Sequence, residues 1–174
     1  MKTLAAVFNS PNQAVRAIED LQSAGIDPQV VGVIAHPDLA RRVAAETGAE
    51  VATGAVGGAG LGAILGGVAG WLVGAGLLTI PGIGPVLAAG PLAAALGGAG
   101  MGAVAGGLIG ALTGWGFSEA QAREYETRVK RGDILLTVDL AEDLSGRAED
   151  ILRQNGGDHV SSTERREMAD RGPA

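Results

Sequence analysis

The feature that most restricts the fold of this chain is a run of 68 residues, 51–118, that contains no Asp, Glu, Lys, Arg or His. Every charged residue lies in the two flanks, whose mixed charges are typical of a soluble protein. The chain therefore divides into four parts. We predict the first half of an α+β domain with a connecting helix (1–50), an apolar helical hairpin (51–117), a connecting helix with the second half of the domain (118–162), and a polar, disordered tail (163–174).

Within the uncharged run, glycine recurs at every fourth position in two unbroken series. The series are Gly54, Gly58, Gly62, Gly66, Gly70 and Gly74, then Gly98, Gly102, Gly106, Gly110 and Gly114. Four residues of an α-helix turn about 400°, so each series forms a slowly winding stripe along which another helix backbone packs closely. We predict two helices, 54–78 and 92–116, both longer than the roughly 20 residues that span a bilayer core. Their bulky residues, among them Leu108 and Leu112, are expected to face lipid.

Helix breakers separate the two predicted helices and mark a hairpin turn. They are Pro81, Gly82, Gly84, Pro85 and Pro91. This uncharged tip would either cross the bilayer or remain within it as a re-entrant loop. The basic residues near the hairpin all lie at its base, namely Arg41, Arg42, Arg123, Arg128, Lys130 and Arg131. We therefore expect the lipid bilayer as a partner and, by the positive-inside rule, a cytoplasmic flanking domain.

The flanks show the periodicities of alternating strands and helices. Predicted strands are Thr3–Phe8, Val30–Ala35, Ile134–Leu140 and, on a weaker pattern, His159–Ser162. One predicted helix begins at Pro11 after an N-cap at Ser10. Three further helices are predicted at Asp38–Thr47, Glu119–Arg131 and Asp143–Asn155. Without the hairpin and its connecting helices, this order is that of a ferredoxin-like split βαβ domain, interrupted by the glycine-zipper hairpin. Such a domain leaves one sheet face open, which favours a homo-oligomer.

Residues that could carry chemistry are few. The chain has no cysteine, and its two histidines, His36 and His159, lie at predicted strand ends where turn or surface roles are common. Tyr125 is more simply explained by packing near the base of the hairpin. We therefore expect no catalytic residues, no cofactor, no metal and no enzymatic activity. The net charge of −6, with basic residues interleaved with acidic ones, argues against a nucleic-acid partner.

The segment IPGIGPVLAAGPLAAALGGAGMGAVAGGLIGAL, followed by EAQAREYETRVKRGDILLTV, resembles the bacterial general stress and low-temperature-induced membrane protein family. The resemblance covers about residues 1–155, and Glu124-Tyr125-Glu126 and Gly132 are among its most specific parts. It implies a stress-related protein of the bacterial inner membrane and carries over no ligand or catalytic residue.

Three functions fit these features. The first is a stress-related, membrane-associated structural protein that self-associates through its glycine-zipper hairpins. The second is a cytoplasmic, soluble homo-oligomer or ligand sensor with the hairpin buried in its core. The third is a channel or permeability element, although the run offers no charged lining residue.

Overall fold

The computed structural model of the protein describes residues 1–36, 38, 76–80, 84–91, 96 and 103–164. Its elements are, in chain order, β1 (Lys2–Phe8), α1 (Pro11–Ser23), a 3₁₀ turn (Pro28–Val30), β2 (Val31–Ala35), β3 (Gly76–Ile80), β4 (Gly84–Ala89), α2 (Ala103–Gly114), α3 (Glu119–Lys130), β5 (Ile134–Leu140), α4 (Glu142–Gln154) and β6 (Asp158–Glu164). The fold mixes α and β structure, with helices packed on both faces of one sheet.

The described strands form one sheet in the order β3-β4-β2-β5-β1-β6, in which all neighbours are antiparallel. β1 pairs with β5 along its whole length, from Lys2 opposite Leu140 to Phe8 opposite Ile134. Both strands are buried almost throughout, which explains their continuous apolar character. The strand predicted at Ile134–Leu140 is confirmed with these bounds, and the one predicted at Thr3–Phe8 lies within β1.

Helices α1 and α4 cover one face of the sheet. In α1, Ala14, Ile18 and Leu21 recur at helical spacing and are buried in one cluster with Leu4 and Phe8 of β1. The helix begins at Pro11, and the chain turns away at Gly25, whose φ of +86° is readily adopted by glycine. The predicted start of this helix, at Pro11 after Ser10, is confirmed.

Helices α2 and α3 cover the other face, which corrects our expectation that this face is open. Alternate residues of β1 and β5, including Val7 and Leu135, lie in a second buried cluster with Leu108 and Leu112 of α2 and Tyr125 of α3. The expectation was wrong because it assigned α2 to a hairpin standing apart from the sheet. Instead, α2 and α3 occupy the surface through which we expected a second copy to pair.

The described end of the first predicted helix is a strand. Residues 76–78, the last three of the predicted helix 54–78, belong to β3, and β3 pairs in regular register with β4. β4 in turn pairs with β2, so β3 and β4 extend the sheet beyond β2. At this point the strand pairing outweighs the helical spacing of the glycines. The earlier residues of that helix, 54–75, lie outside the described residues.

The second predicted helix is also interrupted. Of the span 92–116, the described part contains α2, and Gly107 within it has φ 56° and ψ −142°, a backbone conformation outside the helical region. This kink separates Gly106 from Gly110, so the second glycine stripe does not run along one continuous helix. Apart from Asp38, the helix predicted at Asp38–Thr47 lies outside the described residues.

The last strand is longer than the sequence predicts. β6 continues to Glu164, so Thr163 and Glu164 belong to the sheet and not to the predicted tail. Its pattern was weak because β6 lies at the edge of the sheet and buries little side-chain surface. The rest of the predicted tail, 165–174, lies outside the described residues.

Candidate functional site

The glycines predicted to pack helices are described at only three positions. Gly106, Gly110 and Gly114 lie in α2, whereas the first series and the earlier members of the second, Gly98 and Gly102, lie outside the described residues. A Cβ atom placed on Gly114 would meet no atom within 4 Å. Within the described part of the chain, Gly114 therefore faces open space, and no contact there requires glycine.

The bulky residues of α2 point toward the sheet. Leu108 and Leu112 are fully buried with Val7 and Leu135, and Ile109 packs at the margin of the same cluster. This corrects the expectation that Leu108 and Leu112 face lipid. The prediction was wrong because a uniformly apolar helix does not indicate whether lipid or protein is its partner.

The predicted hairpin turn joins strands and not helices. Gly84 and Pro85 begin β4, while Pro81 and Gly82 lie outside the described residues between β3 and β4. After β4, Gly90 has φ +72°, and a Cβ atom there would lie 2.1 Å from the carbonyl oxygen of Val31. Only glycine fits where the chain crosses so close to β2. Pro91 follows it and is half-buried.

Several polar side chains contact one another where α3 meets β6. We call Glu124, Tyr125, Arg128, Asp158 and His159 the α3–β6 cluster. Tyr125 is buried, packs edge-to-face on Phe117 with ring centroids 6.0 Å apart, and donates a 2.7 Å hydrogen bond from Oη to the carbonyl oxygen of His159. Burial raises the pKa of the Tyr125 hydroxyl; a hydrogen bond with Ser161 opposes the shift, and the charge of Glu124 adds to it.

Charged contacts complete the α3–β6 cluster. Nδ1 of His159 lies 3.2 Å from Oε1 of Glu124, and its Nε2 lies 3.5 Å from Oδ2 of Asp158. The guanidinium of Arg128 contacts Asp158 at 3.1 Å and Asp133 at 2.6 Å, the latter as an ion pair without an aligned hydrogen bond. Both ring nitrogens of His159 thus lie beside carboxylate oxygens.

The backbone of His159 has φ +50°, the left-handed region that non-glycine residues seldom adopt. The bond from Tyr125 to its carbonyl oxygen and the carboxylates beside its ring hold it in this conformation. Further along β6, Oγ1 of Thr163 donates to the carbonyl oxygen of Gly116 at 2.8 Å. These contacts attach the edge strand to the helical layer formed by α2 and α3.

The clefts formed by described residues include one at each end of the layer made by α2 and α3. One, of about 400 Å³, lies between the end of β2 and the end of α3 and is lined by His36, Asp38, Lys130, Arg131, Gly132 and Asp133. The other, of about 490 Å³, lies between the end of α2 and the end of β6 and is lined by Thr113, Gly114, Gly116, Phe117, Thr163 and Glu164. The first brings the basic end of α3 beside the point where the chain leaves β2.

The described residues include no group of three or more His, Cys, Asp or Glu side chains placed to hold a metal ion. Among the helices that the structure describes, none has both the length and the apolar character needed to cross a membrane. Searches of protein-family models, curated proteins and solved structures found no match to this chain.

Sequence reasoning missed the α3–β6 cluster. It treated His159 and Tyr125 separately, although they are joined by a hydrogen bond across 34 positions of sequence. It also missed a buried pair on the second face, where Oγ1 of Thr3 donates to Oδ1 of Asp139 at 2.6 Å. The available signal for that pair was a threonine and an aspartate in two mostly apolar strands, because buried polar groups need partners.

Proposed function

We propose that the protein is a membrane-associated structural protein that self-associates through its uncharged, glycine-striped segment and catalyses no reaction. The observation that carries the proposal is the coincidence of an uncharged run with a glycine at every fourth position. Helices α1 to α4 already pack on both faces of β1 and β5. The segment with the first glycine series is therefore not required to bury these two strands. That series is then available for lipid or for another copy of the chain.

We assign β1, α1, β2, β5, α4 and β6 to a ferredoxin-like split βαβ domain. The assignment is supported by the antiparallel order β6-β1-β5-β2 and by the position of α1 and α4 on one face. In this assignment, the segment between β2 and β5 replaces a short hairpin loop. It contributes β3 and β4 to one edge of the sheet and α2 and α3 to the other face.

The proposed location is the cytoplasmic side of the bacterial inner membrane. Lys130 and Arg131 line one cleft together with His36 and Asp38, which lie at the start of the connection between β2 and the uncharged run. A basic end of α3 at this place suits the anionic surface of a bilayer. The resemblance to low-temperature-induced proteins further supports a stress-related role, which immunoblots of the protein before and after a temperature shift would test.

Membrane fractionation tests the main proposal. We expect the full chain in the membrane fraction after a high-salt wash, and chemical crosslinking there to yield oligomers. The double variant Gly62→Leu, Gly66→Leu should form fewer oligomers because leucine keeps helix backbones apart. Gly146→Leu in α4 is the matched control, since Gly146 is exposed and has no neighbouring atom within 4 Å of an added Cβ. Equal loss in both variants, or no loss in either, would contradict the packing role of the stripe.

A soluble homo-oligomer, in which the segment is buried in the centre of the assembly, is the second candidate. It is favoured by the burial of Leu108 and Leu112 against the sheet, where they are withdrawn from lipid. Recovery of the full chain as a large particle in the soluble fraction, without detergent, would favour this candidate over the first.

A further inference from the structure

The two strands at the ends of the sheet, β3 and β6, differ in the features that protect an edge from pairing. β6 carries Asp158 and Glu164, its pairing with β1 shifts register between Ala5 and Val7, and the left-handed backbone of His159 lies within it. Charges and irregular pairing are the means by which natural sheets prevent strands from adding at an edge. β6 is therefore a protected edge.

β3 has none of these features. Its five residues, Gly-Leu-Leu-Thr-Ile, include no charge and no proline, and they pair with β4 in unbroken register from Gly76 opposite Ala88 to Ile80 opposite Gly84. Among the described strands, β4 is its only neighbour. In an antiparallel strand, alternate N–H and C=O groups point away from the neighbour, so this edge presents hydrogen-bonding groups that require partners.

Lipid cannot supply those partners, because the hydrocarbon region of a bilayer offers no hydrogen-bonding groups. The preceding segment of the same chain is poorly suited as well. Its glycines recur every fourth residue from Gly54 to Gly74, a spacing typical of helix–helix packing. An uncharged strand that can continue the antiparallel pairing is needed, and β3 of a second copy, running in the opposite direction, meets this requirement.

We propose that β3 is a dimerisation edge, at which it pairs antiparallel with β3 of a second copy to join the two sheets. A two-fold axis through the centre of the strand would place Leu78 opposite Leu78 of the second copy. Gly76 would then lie opposite Ile80, and Leu77 opposite Thr79. No charge meets a like charge in this register, because β3 has none. The proposal does not depend on the glycine stripe or on membrane association.

The absence of cysteine from the chain makes single-cysteine crosslinking a clean test. In the full chain, purified in mild detergent, Leu78→Cys is expected to form a disulfide-linked dimer on gentle oxidation, because directly opposite residues of antiparallel strands lie within disulfide reach. Ser162→Cys, exposed on the protected edge β6, is the matched control and is expected to yield at least tenfold less dimer. Equal crosslinking of the two variants would overturn the proposal.

A second pair of variants keeps the test decisive if Leu78→Cys misfolds. An equimolar mixture of Leu77→Cys and Thr79→Cys should give a mixed disulfide in severalfold excess over either self-linked dimer, since these positions face each other in the proposed register. Absence of that excess, together with a monomeric mass of the unmodified chain by light scattering, would reject the interface.

Combining Leu78→Cys with Gly62→Leu and Gly66→Leu separates this interface from the proposed glycine packing. If the disulfide dimer persists at the same yield, the β3 interface stands whether or not the larger oligomers are lost. If it disappears while the domain remains folded by circular dichroism, the contact belongs to the glycine stripe and the β3 proposal is wrong.

Discussion

Helices α1 and α4, which cover one face of the sheet, expose charged side chains such as Arg16 and Asp150, whereas α2, on the other face, contains no charged residue. The helices on both faces bury leucine against β1 and β5: Leu21 on one face and Leu112 on the other are fully buried. An amphipathic helix indicates its buried side through the contrast with its polar side. A uniformly apolar helix indicates only that it is buried, and protein and lipid are equally compatible partners for it.

The largest expected effect is on the core of the second face. Leu112→Ala and the matched variant Leu21→Ala should each lower the free energy of unfolding by about 2–5 kcal/mol, since each leaves a cavity in a buried cluster. Urea unfolding of the full chain, followed by the fluorescence of the tryptophans, would measure both. Trp115 packs at the margin of the second cluster and reports on it directly. Destabilisation by Leu21→Ala alone would mean that α2 is not part of the folded core.

The helix and strands of the first face could be predicted from sequence because the hydrophobic period and the residues at the element ends indicate the same elements. Ala14, Ile18 and Leu21 follow the helical period, Pro11 begins the helix, and β5 was predicted with the observed bounds. The second face was not readable. The sequence around Leu108 and Leu112 does not indicate that these side chains pack on the sheet. The pairing of β4 with β2 depends on contacts between residues more than fifty positions apart.

The candidate site was predictable only as separate residues. Glu124, Tyr125 and His159 were all noticed in the sequence, but their association depends on the register that brings β6 beside β1 and under α3. A short-range pattern cannot encode that register. The weak apolar character of β6, with Val160 as its one aliphatic residue, left its length and its partners undetermined.

The next largest effect on stability is expected at the N-caps of α3 and α1, which lie on opposite faces of the sheet. Ser118 caps α3 through a capping box, in which its Oγ accepts from the backbone N–H of Gln121 and Oε1 of Gln121 accepts from the N–H of Ser118. Ser10 occupies the same position in α1 but makes no side-chain cap bond. We expect Ser118→Ala to lower the free energy of unfolding by about 0.5–2 kcal/mol and Ser10→Ala to have a clearly smaller effect. Equal losses in urea unfolding would show that the caps do not distinguish the two helices.

A somewhat smaller effect is expected at the contact between α3 and β6. Tyr125→Phe removes the hydrogen bond to the carbonyl oxygen of His159 and should cost about 0.5–1.5 kcal/mol at neutral pH. Because the pKa of Tyr125 is raised in the folded state, its contribution is complete below the unfolded-state pKa of about 10 and is lost as pH rises through the higher folded-state value.

Unfolding midpoints measured from pH 8 to pH 11 would test this dependence. The unmodified chain should lose stability above about pH 10 more steeply than Tyr125→Phe, which cannot ionise at this position. Tyr125 is the single tyrosine of the chain, so no other phenol contributes to the difference. Parallel curves for the two proteins would show that the hydroxyl is equally easy to ionise in the folded and unfolded states.

The smallest effect on stability is expected at Gly114. This position tests the role of α2, the helix without charged residues. Alanine fits there without a clash and favours a helix over glycine by at most about 1 kcal/mol, so Gly114→Ala should leave the free energy of unfolding unchanged or slightly higher. Gly146→Ala in α4, with equally open surroundings, is its control on the first face. If the glycine stripe of a second copy packs at Gly114, the added methyl group weakens crosslinked oligomers in this variant and not in the control. If both variants form the same oligomers, the packing stripe does not extend past the kink at Gly107, and self-association belongs to the glycines that precede it.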